Sequence, residues 1–392
     1  MHRLLALTVC FHGALSAGTT LVLPFFNHSK SASLDWIGES IAESVKDSLA
    51  TAGVLVLDRD GRLEAYRRLS LRPGAELTHA SIIKVGESVD AATVIYGYFE
   101  LLPPEPGKEG AKGSLRITAR ALDLKQSRQS APYSEVGALE DLATLQAHLG
   151  WQTIASLNPQ APPAEREFML ARPSVRLDAV ESYVRGLMAT SAEQRHHFFT
   201  QAARLDEHYS QPCFQLGKTY WERKEYKVAA GWLERVARSD SHYLEARFFL
   251  GLCRYLSGDP RGAEECFQQV AAELPLNEVY NDLGAAQTQR QNYSTAATSF
   301  RKALEGDDAD PDFHFNLGVA LWRSGNFTDA ADSFRAVLAR NTGDVEATTL
   351  LGRCLKREGP RPGEARADGK PRLKSNYEEN AYRQLQAELS KK

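Results

Sequence analysis

Residue types that do chemistry are scattered through this 392-residue chain without forming a catalytic constellation. A phosphate-cradling loop needs Gly-x-x-x-x-Gly-Lys-Ser/Thr, a zinc hydrolase helix needs His-Glu-x-x-His, and an esterase elbow needs Gly-x-Ser-x-Gly. None of the three occurs. His196 and His197 are adjacent, so a helix points them in different directions and not at one metal ion. Asp58-Arg59-Asp60-Gly61 opens like a calcium loop but lacks the later ligands, and it reads as a turn. The acidic stretch 306–312 falls at a junction between helices and suits a helix cap better than a cation site. No catalytic residue, cofactor-binding residue or metal ligand is therefore assigned, and the chain reads as a non-enzyme without a cofactor.

The five cysteines add no metal spacing. Cys10 lies in an apolar N-terminal stretch. Cys253 and Cys266 lie on two antiparallel helices, about equally far from the turn between them. They read either as buried small hydrophobes or as a disulfide in an oxidising compartment. A net charge of −3, from 47 Lys and Arg against 50 Asp and Glu, gives no reason to expect nucleic acid or an anionic membrane as partner. No apolar run reaches the roughly 18–20 residues that span a bilayer. At 43% hydrophobic residues the composition is that of globular domains.

The chemistry that remains is recognition, and a repeat must position it. Leu-Gly recurs at Leu216-Gly217, Leu250-Gly251, Leu283-Gly284, Leu317-Gly318 and Leu351-Gly352, at spacings of 34, 33, 34 and 34 residues. Ala229, Ala263, Ala296 and Ala330 follow at matching offsets, and Leu233, Phe267, Phe300 and Phe334 come four residues after them. This period signals stacked helix pairs, in which each unit buries its apolar face only against its neighbours. The small residues belong where two helices cross closely, and the large ones fill the space between units. Ser257-Gly258-Asp259-Pro260 and Ser324-Gly325-Asn326 separate the helices of a pair.

These residues resemble the tetratricopeptide repeat family. The match is carried by Leu250, Gly251, Ala263, Phe267 and Pro275, and in the next unit by Tyr280, Leu283, Gly284, Ala296, Phe300 and Ala303. Leu317, Gly318, Phe327, Ala330 and Phe334 carry it in the following one. The resemblance implies a solenoid over 174–356, with 178–189 and 192–205 as a degenerate first pair. It also implies a concave groove lined by the first helix of each pair. The groove positions implied are Phe214, Lys218 and Trp221, then Phe248, Leu252 and Tyr255, then Asn281, then Phe315, Trp322 and Arg323. Asp312 belongs to the same face. With Trp221, Tyr255 and Trp322 as anchors, such a groove suits an apolar peptide or amphipathic helix. The bland reading of the same rings is that they pack between helices.

The region 20–157 has a different grammar. Residues 20–26 read as a buried strand and 34–51 as an amphipathic helix with Ser33 as N-cap. A strand at 54–57, a turn at 58–61 and short helices at 63–69 and 78–86 follow. Long strands at 92–101 and 114–124 flank a polar loop at 103–113; a short strand at 129–136 and a helix at 140–154 close a mixed α/β unit. The segment Leu23-Pro24-Phe25-Phe26-Asn27, with Asp35, Ile37-Gly38 and Val94-Ile95-Tyr96-Gly97, resembles the TolB amino-terminal-like domain. That resemblance implies a small module for protein contacts. The fold class is thus α+β overall, a small α/β domain before an all-α solenoid.

Residues 158–173 form a Pro-rich linker. From 356 to 374 there are seven basic and three acidic residues. With its Pro and Gly content this stretch cannot bury a core, and 357–375 reads as a disordered linker. Residues 376–392 recover helical spacing, and this segment either caps the solenoid, docks elsewhere or occupies the groove in cis.

Two function classes follow. One is a protein-protein scaffold of the cell envelope, in contact with other envelope proteins. The other is a cytosolic regulatory or sensory module whose α/β domain binds a small molecule or an effector. The first 17 residues discriminate between them: His2 and Arg3, an apolar run and then small residues read as a signal peptide. Mass spectrometry of the natively produced protein should find a mature N-terminus just after Ser16 or Ala17. An intact N-terminus would remove the basis for export.

Overall fold

The computed structural model describes residues 18–29, 31–103, 114–160, 162–172, 175–360 and 369–377. The expected signal peptide at 1–17, nearly all of the 103–113 loop and residues 378–392 of the expected C-terminal helix lie outside the described residues. Residues through Asp206 form one compact unit, and those from Glu207 to Tyr377 belong to a second.

The first unit opens with β1 (Thr20–Val22) and β2 (Phe26–Asn27), followed by α1 (Trp36–Thr51), α2 (Arg59–Arg68) and α3 (His79–Ser88). Then come β3 (Thr93–Leu102), β4 (Ser114–Asp123), β5 (Arg128–Gln129), β6 (Tyr133–Ala138) and α4 (Leu142–Leu157). α5 (Glu165–Leu170), α6 (Leu177–Met188) and α7 (Ala192–Leu205) complete it. The sheet is mixed: β1 and β2 both run parallel to β3, while β4 is antiparallel to β3 and to both β5 and β6.

The expected single strand at 20–26 is two strands. Pro24 has no N–H to donate to the ladder, and the Phe25 N–H is donated to the Gly38 carbonyl at 3.1 Å. Val22 pairs with Ile95 and Phe26 with Tyr98, so the interruption inserts one residue and re-registers the strand. A Cβ on Gly38 would lie 2.0 Å from the Phe25 carbonyl oxygen, which is why the chain is glycine there. The expected strand at 54–57 is only a single bridge, Val56 to Thr20. It ends because Asp58 starts a helix: its side chain accepts from the Gly61 N–H at 2.7 Å, so 58–61 is a helix N-terminus and not a free turn. Ser33 is not the cap of α1. Residues 32–34 form a 3₁₀ turn, and Asp35, before the helix, accepts instead from Asn27 Nδ2 at 2.7 Å.

On one face of the sheet, Leu21, Leu23, Val94 and Leu122 pack with Ala65, Tyr66, Ile82 and Val85 of α2 and α3. Ile95 and Phe99 bury the alternate face, and Ile37, Ile41, Val45 and Leu49 of α1 and Leu142 and Leu149 of α4 are fully buried. The pair α6–α7, expected to be a degenerate first repeat, packs against α1 within this unit.

The second unit is helical: α8 (Ser210–Glu222), α9 (Tyr226–Leu233), α10 (Tyr243–Leu256), α11 (Pro260–Glu273), α12 (Asn277–Gln289), α13 (Tyr293–Gly306), α14 (Pro311–Arg323), α15 (Phe327–Arg340) and α16 (Val345–Leu355). The first four Leu-Gly glycines each meet the large residue of their own pair, whereas Gly352 on the last helix meets none. A Cβ on Gly217 would lie 2.5 Å from the Leu233 side chain, and one on Gly251, Gly284 or Gly318 would lie 2.7, 2.7 or 2.8 Å from the Phe267, Phe300 or Phe334 ring. The turns repeat as well. Lys224, Gly258, Gln291 and Gly325 all take positive φ, which costs the glycines nothing. Asp259 caps α11 through the Gly262 N–H at 3.0 Å, with Pro260 in the first turn as expected.

Gly284→Ala should lower the stability of the second unit by about 1–3 kcal/mol, because the added methyl overpacks the crossing. Thermal denaturation followed by circular dichroism measures this; an unchanged midpoint would contradict the close crossing.

Candidate functional site

The first helices α8, α10, α12, α14 and α16 each carry two residues just before Leu-Gly: Phe214-Gln215, Phe248-Phe249, Asn281-Asp282, Phe315-Asn316 and Thr349-Leu350. Phe214, Phe248, Phe249, Phe315 and Leu350 among them are large and apolar. In α12 and α14 three of the four are polar, and Asn281, Asp282 and Asn316 are all 0% exposed. Buried carboxamides and carboxyls require partners, because an unsatisfied one costs about 1–3 kcal/mol.

Their partners come from residues 369–377, which carry no helix or strand. Asn281 Nδ2 and Asn316 Nδ2 both donate to the Arg372 carbonyl, at 2.9 and 2.8 Å. The Arg372 N–H donates to Asn316 Oδ1 at 2.7 Å, so one carboxamide reads both polar groups of one peptide residue. Asn316 Nδ2 also donates to Asn281 Oδ1 at 2.7 Å, which fixes both amide orientations. Two residues on, the Lys374 N–H donates to Asp282 Oδ1 at 2.9 Å.

The side chains of the segment meet carboxylates. The Arg372 guanidinium lies 2.8 Å from Asp344 and 3.3 Å from Asp312, and it sits 3.6 Å over the Phe315 ring. Lys374 Nζ is 2.8 Å from both Asp310 and Asp312 and lies 5.3 Å over Phe313. At one end of the segment the Gly369 N–H donates to Glu346 at 3.0 Å, and Arg323 donates to the Gly369 carbonyl at 3.2 Å. At the other end the Tyr377 ring meets Phe248 edge-on at 5.2 Å. The segment therefore crosses from α16 over α14 and α12 to α10. Three helix spacings of about 9 Å each need about 27 Å, close to the full reach of nine residues, so the segment is extended.

Of the expected groove residues, Phe248, Asn281, Phe315 and Arg323 touch this segment. Trp322 donates its indole N–H to the Glu358 carbonyl at 2.8 Å, and the Gly369 backbone lies against its ring. Trp322 is also 1% exposed within the apolar core, and Tyr255 and Leu252 are buried too, so these three are not open anchors. Phe214, Lys218 and Trp221 lie together at the α8 end. Phe214 stacks on His242, Lys218 pairs with Glu245 at 3.1 Å, and Trp221 packs between Tyr226 and Phe249.

The linker reading of 357–375 does not hold for 369–375, because the groove supplies the partners that the segment's own composition lacks. Asp282, Asn316, Asp344 and Glu346 were not among the expected residues. Their signal is a polar residue where neighbouring repeats carry Phe or Leu, and acids clustered at the starts of α14 and α16. The 306–312 stretch does cap α14, as Asp310 accepts from the Asp312 N–H at 2.8 Å, but its carboxylates also hold Lys374.

Burial pushes the Asp282 carboxyl well above the usual range, against the pull of the Lys374 amide and Asn281. The Arg372 hydrogen bond holds Asp344 below its usual range, against its partial burial. Cys213, Cys253, Cys266 and Cys354 are free and buried; burial pushes the Cys253 thiol up to about 12 and leaves it unreactive.

In the first unit a separate cavity of about 970 Å³ is lined by Phe26, His28, Tyr66, Tyr96, Tyr98 and Arg120, among others. Glu39 at its wall binds Arg59 at 2.6 Å and also pairs with Arg62. Among the described residues, no helix is long and apolar enough to cross a membrane.

The tetratricopeptide repeat model matches residues 214–278, 257–312, 281–345 and 315–369. The helix pairs of the second unit are tetratricopeptide repeats. No curated protein matches the chain in sequence. Among solved structures, YrrB, described as a tetratricopeptide repeat protein with an unusual peptide-binding site, is 19% identical, with 46% of this chain and 88% of YrrB covered and a TM-score of 0.37. MamA is 17% identical, with 38% and 81% covered and a TM-score of 0.36; its AMB-1 form is 24% identical, with 39% and 84% covered and a TM-score of 0.36.

Asp282→Asn should change how stability depends on pH. A carboxyl whose pKa is raised by folding costs stability as pH climbs from its unfolded value, about 3.9, toward the folded one. The wild type should therefore lose stability relative to the variant as pH rises from about 4. Parallel pH profiles for the two melting midpoints would contradict the buried-acid assignment.

Proposed function

We propose that the tetratricopeptide repeats form a non-enzymatic scaffold whose concave face binds an extended segment by its backbone. One observation carries this reading: Asn281 and Asn316 together engage both the N–H and the carbonyl of Arg372. Groups presented by a peptide backbone are common to all sequences, so a pair of fixed carboxamides recognises an extended chain as such. The apolar helix expected as ligand fits this surface less well, because an α-helix spends its own backbone groups internally. Residence in the cell envelope and contact with envelope proteins belong to the same proposal, supported by the N-terminal residues. The kinship of the first unit with the TolB amino-terminal-like domain is likewise proposed, supported by the Phe25–Gly38 and Asn27–Asp35 contacts that join its motif residues.

A chain ending at Asp368 should bind an end-blocked peptide of residues 369–377 with one-to-one stoichiometry in calorimetry. Asn281→Ala with Asn316→Ala should weaken that binding at least about tenfold, as each lost buried partner costs about 1–3 kcal/mol. Absence of binding by the shortened chain, or unchanged affinity in the alanine variant, would sink the groove as a peptide site.

A further inference from the structure

We propose that residues 369–377 are a built-in competitor, and that the groove's partner in trans is an extended basic segment with two cationic side chains one residue apart. The inference rests on the reading of the groove as a backbone-binding site and adds its selectivity and its control.

Selectivity comes from the acids. Asp310 and Asp312 at the start of α14, with Asp344 and Glu346 at the start of α16, face the segment and pair with Arg372 and Lys374. Phe315 and Phe313 lie beneath the two cations, so each cation is held by carboxylates and an aromatic face. Arg372 and Lys374 alternate with Leu373. In an extended chain that spacing puts both cationic side chains on one side, and their N–H groups reach Asn316 and Asp282. Expelling the segment would leave Asp312 and Asp344 without these cations and Asn281 and Asn316 without the Arg372 carbonyl. A cationic peptide in the same register restores all of these contacts, whereas an acidic one meets like charge.

Control comes from the tether. Residues 369–377 belong to the same chain as the groove, so they compete at an effective concentration that reaches the millimolar range for short connections. A partner must displace them, and its apparent affinity falls by the fraction of grooves that stand open. Hydrogen bonds and ion pairs hold the segment at Arg372 and Lys374. Its large aromatic contact is Tyr377 on Phe248. Reversing its two charges should therefore release it without disturbing the helices.

The test uses the full chain and a fluorescein-labelled peptide of residues 369–377 in fluorescence anisotropy. The full chain carrying Arg372→Glu and Lys374→Glu should bind the peptide at least about tenfold more tightly than the wild-type chain. Adding Asp312→Asn and Asp344→Asn to that variant should reverse most of the gain, and a peptide with both cations replaced by Ala should bind at least about tenfold more weakly. Circular dichroism of each variant checks that the helices are intact. Equal peptide affinity in the wild-type and charge-reversed chains would overturn the built-in competitor while leaving the groove a peptide site. Equal affinity for the cationic and alanine peptides would overturn the basic selectivity. No binding by either chain would overturn the groove reading itself.

Discussion

The second unit is organised around a demand that its helices cannot meet. Asn281 sits where three other repeats place Phe, and Asp282 and Asn316 sit where others place Phe249 or Leu350; all three are buried. With the segment in place their amide and carboxyl groups are out of water and need hydrogen bonds to offset that cost. Within the helices, Asn281 and Asn316 satisfy each other in part, and Asn281 donates to Asp282 at 3.0 Å. The remaining demand is met by backbone groups two residues apart on an extended segment. The spacing of the groove and the pleat of a peptide are matched, and this match separates a binding surface from a merely concave one.

The solenoid supplies the rigidity that such matching requires. The closely crossed glycines Gly217, Gly251, Gly284 and Gly318 let the two helices of each pair touch, and the Phe or Leu beside each glycine fills the crossing. The core cluster from Phe300 through Phe334 to Cys354 is continuous across α13, α14, α15 and α16. Asn316 donates to Asn281 and Asn281 donates to Asp282, so the polar groups of the groove orient one another as well as the segment. Asp310, Asp312, Asp344 and Glu346 lie at the starts of α14 and α16, beside the cations they hold.

The repeat is legible in the sequence because period and residue size are both fixed by packing: a glycine at each crossing and a large residue in the partner helix. The α/β unit is legible in outline. Its errors fall where one side chain overrides propensity, as at Pro24, which removes a ladder donor, and Asp58, which turns an expected loop into a helix start. The groove is legible in its location and in Phe248, Asn281, Phe315 and Arg323. It is less legible in character, because aromatic residues on a first helix are as readily spent on the core, as Trp322 and Tyr255 are. Residues 369–377 were the hardest to read. Their composition shows correctly that they cannot build a core. Their order is conferred by carboxylates and carboxamides up to 92 residues upstream, and no local pattern carries that information.

Asn316 and Asp282 hold the Arg372 and Lys374 backbone N–H groups, and amide hydrogen exchange at Arg372 and Lys374 reads that hold. In the intact protein both amides should exchange far more slowly than in an unstructured peptide, and Asn316→Ala should release the Arg372 amide while the helices stay protected. Exchange at unstructured-peptide rates for both amides in the wild-type chain would contradict the account.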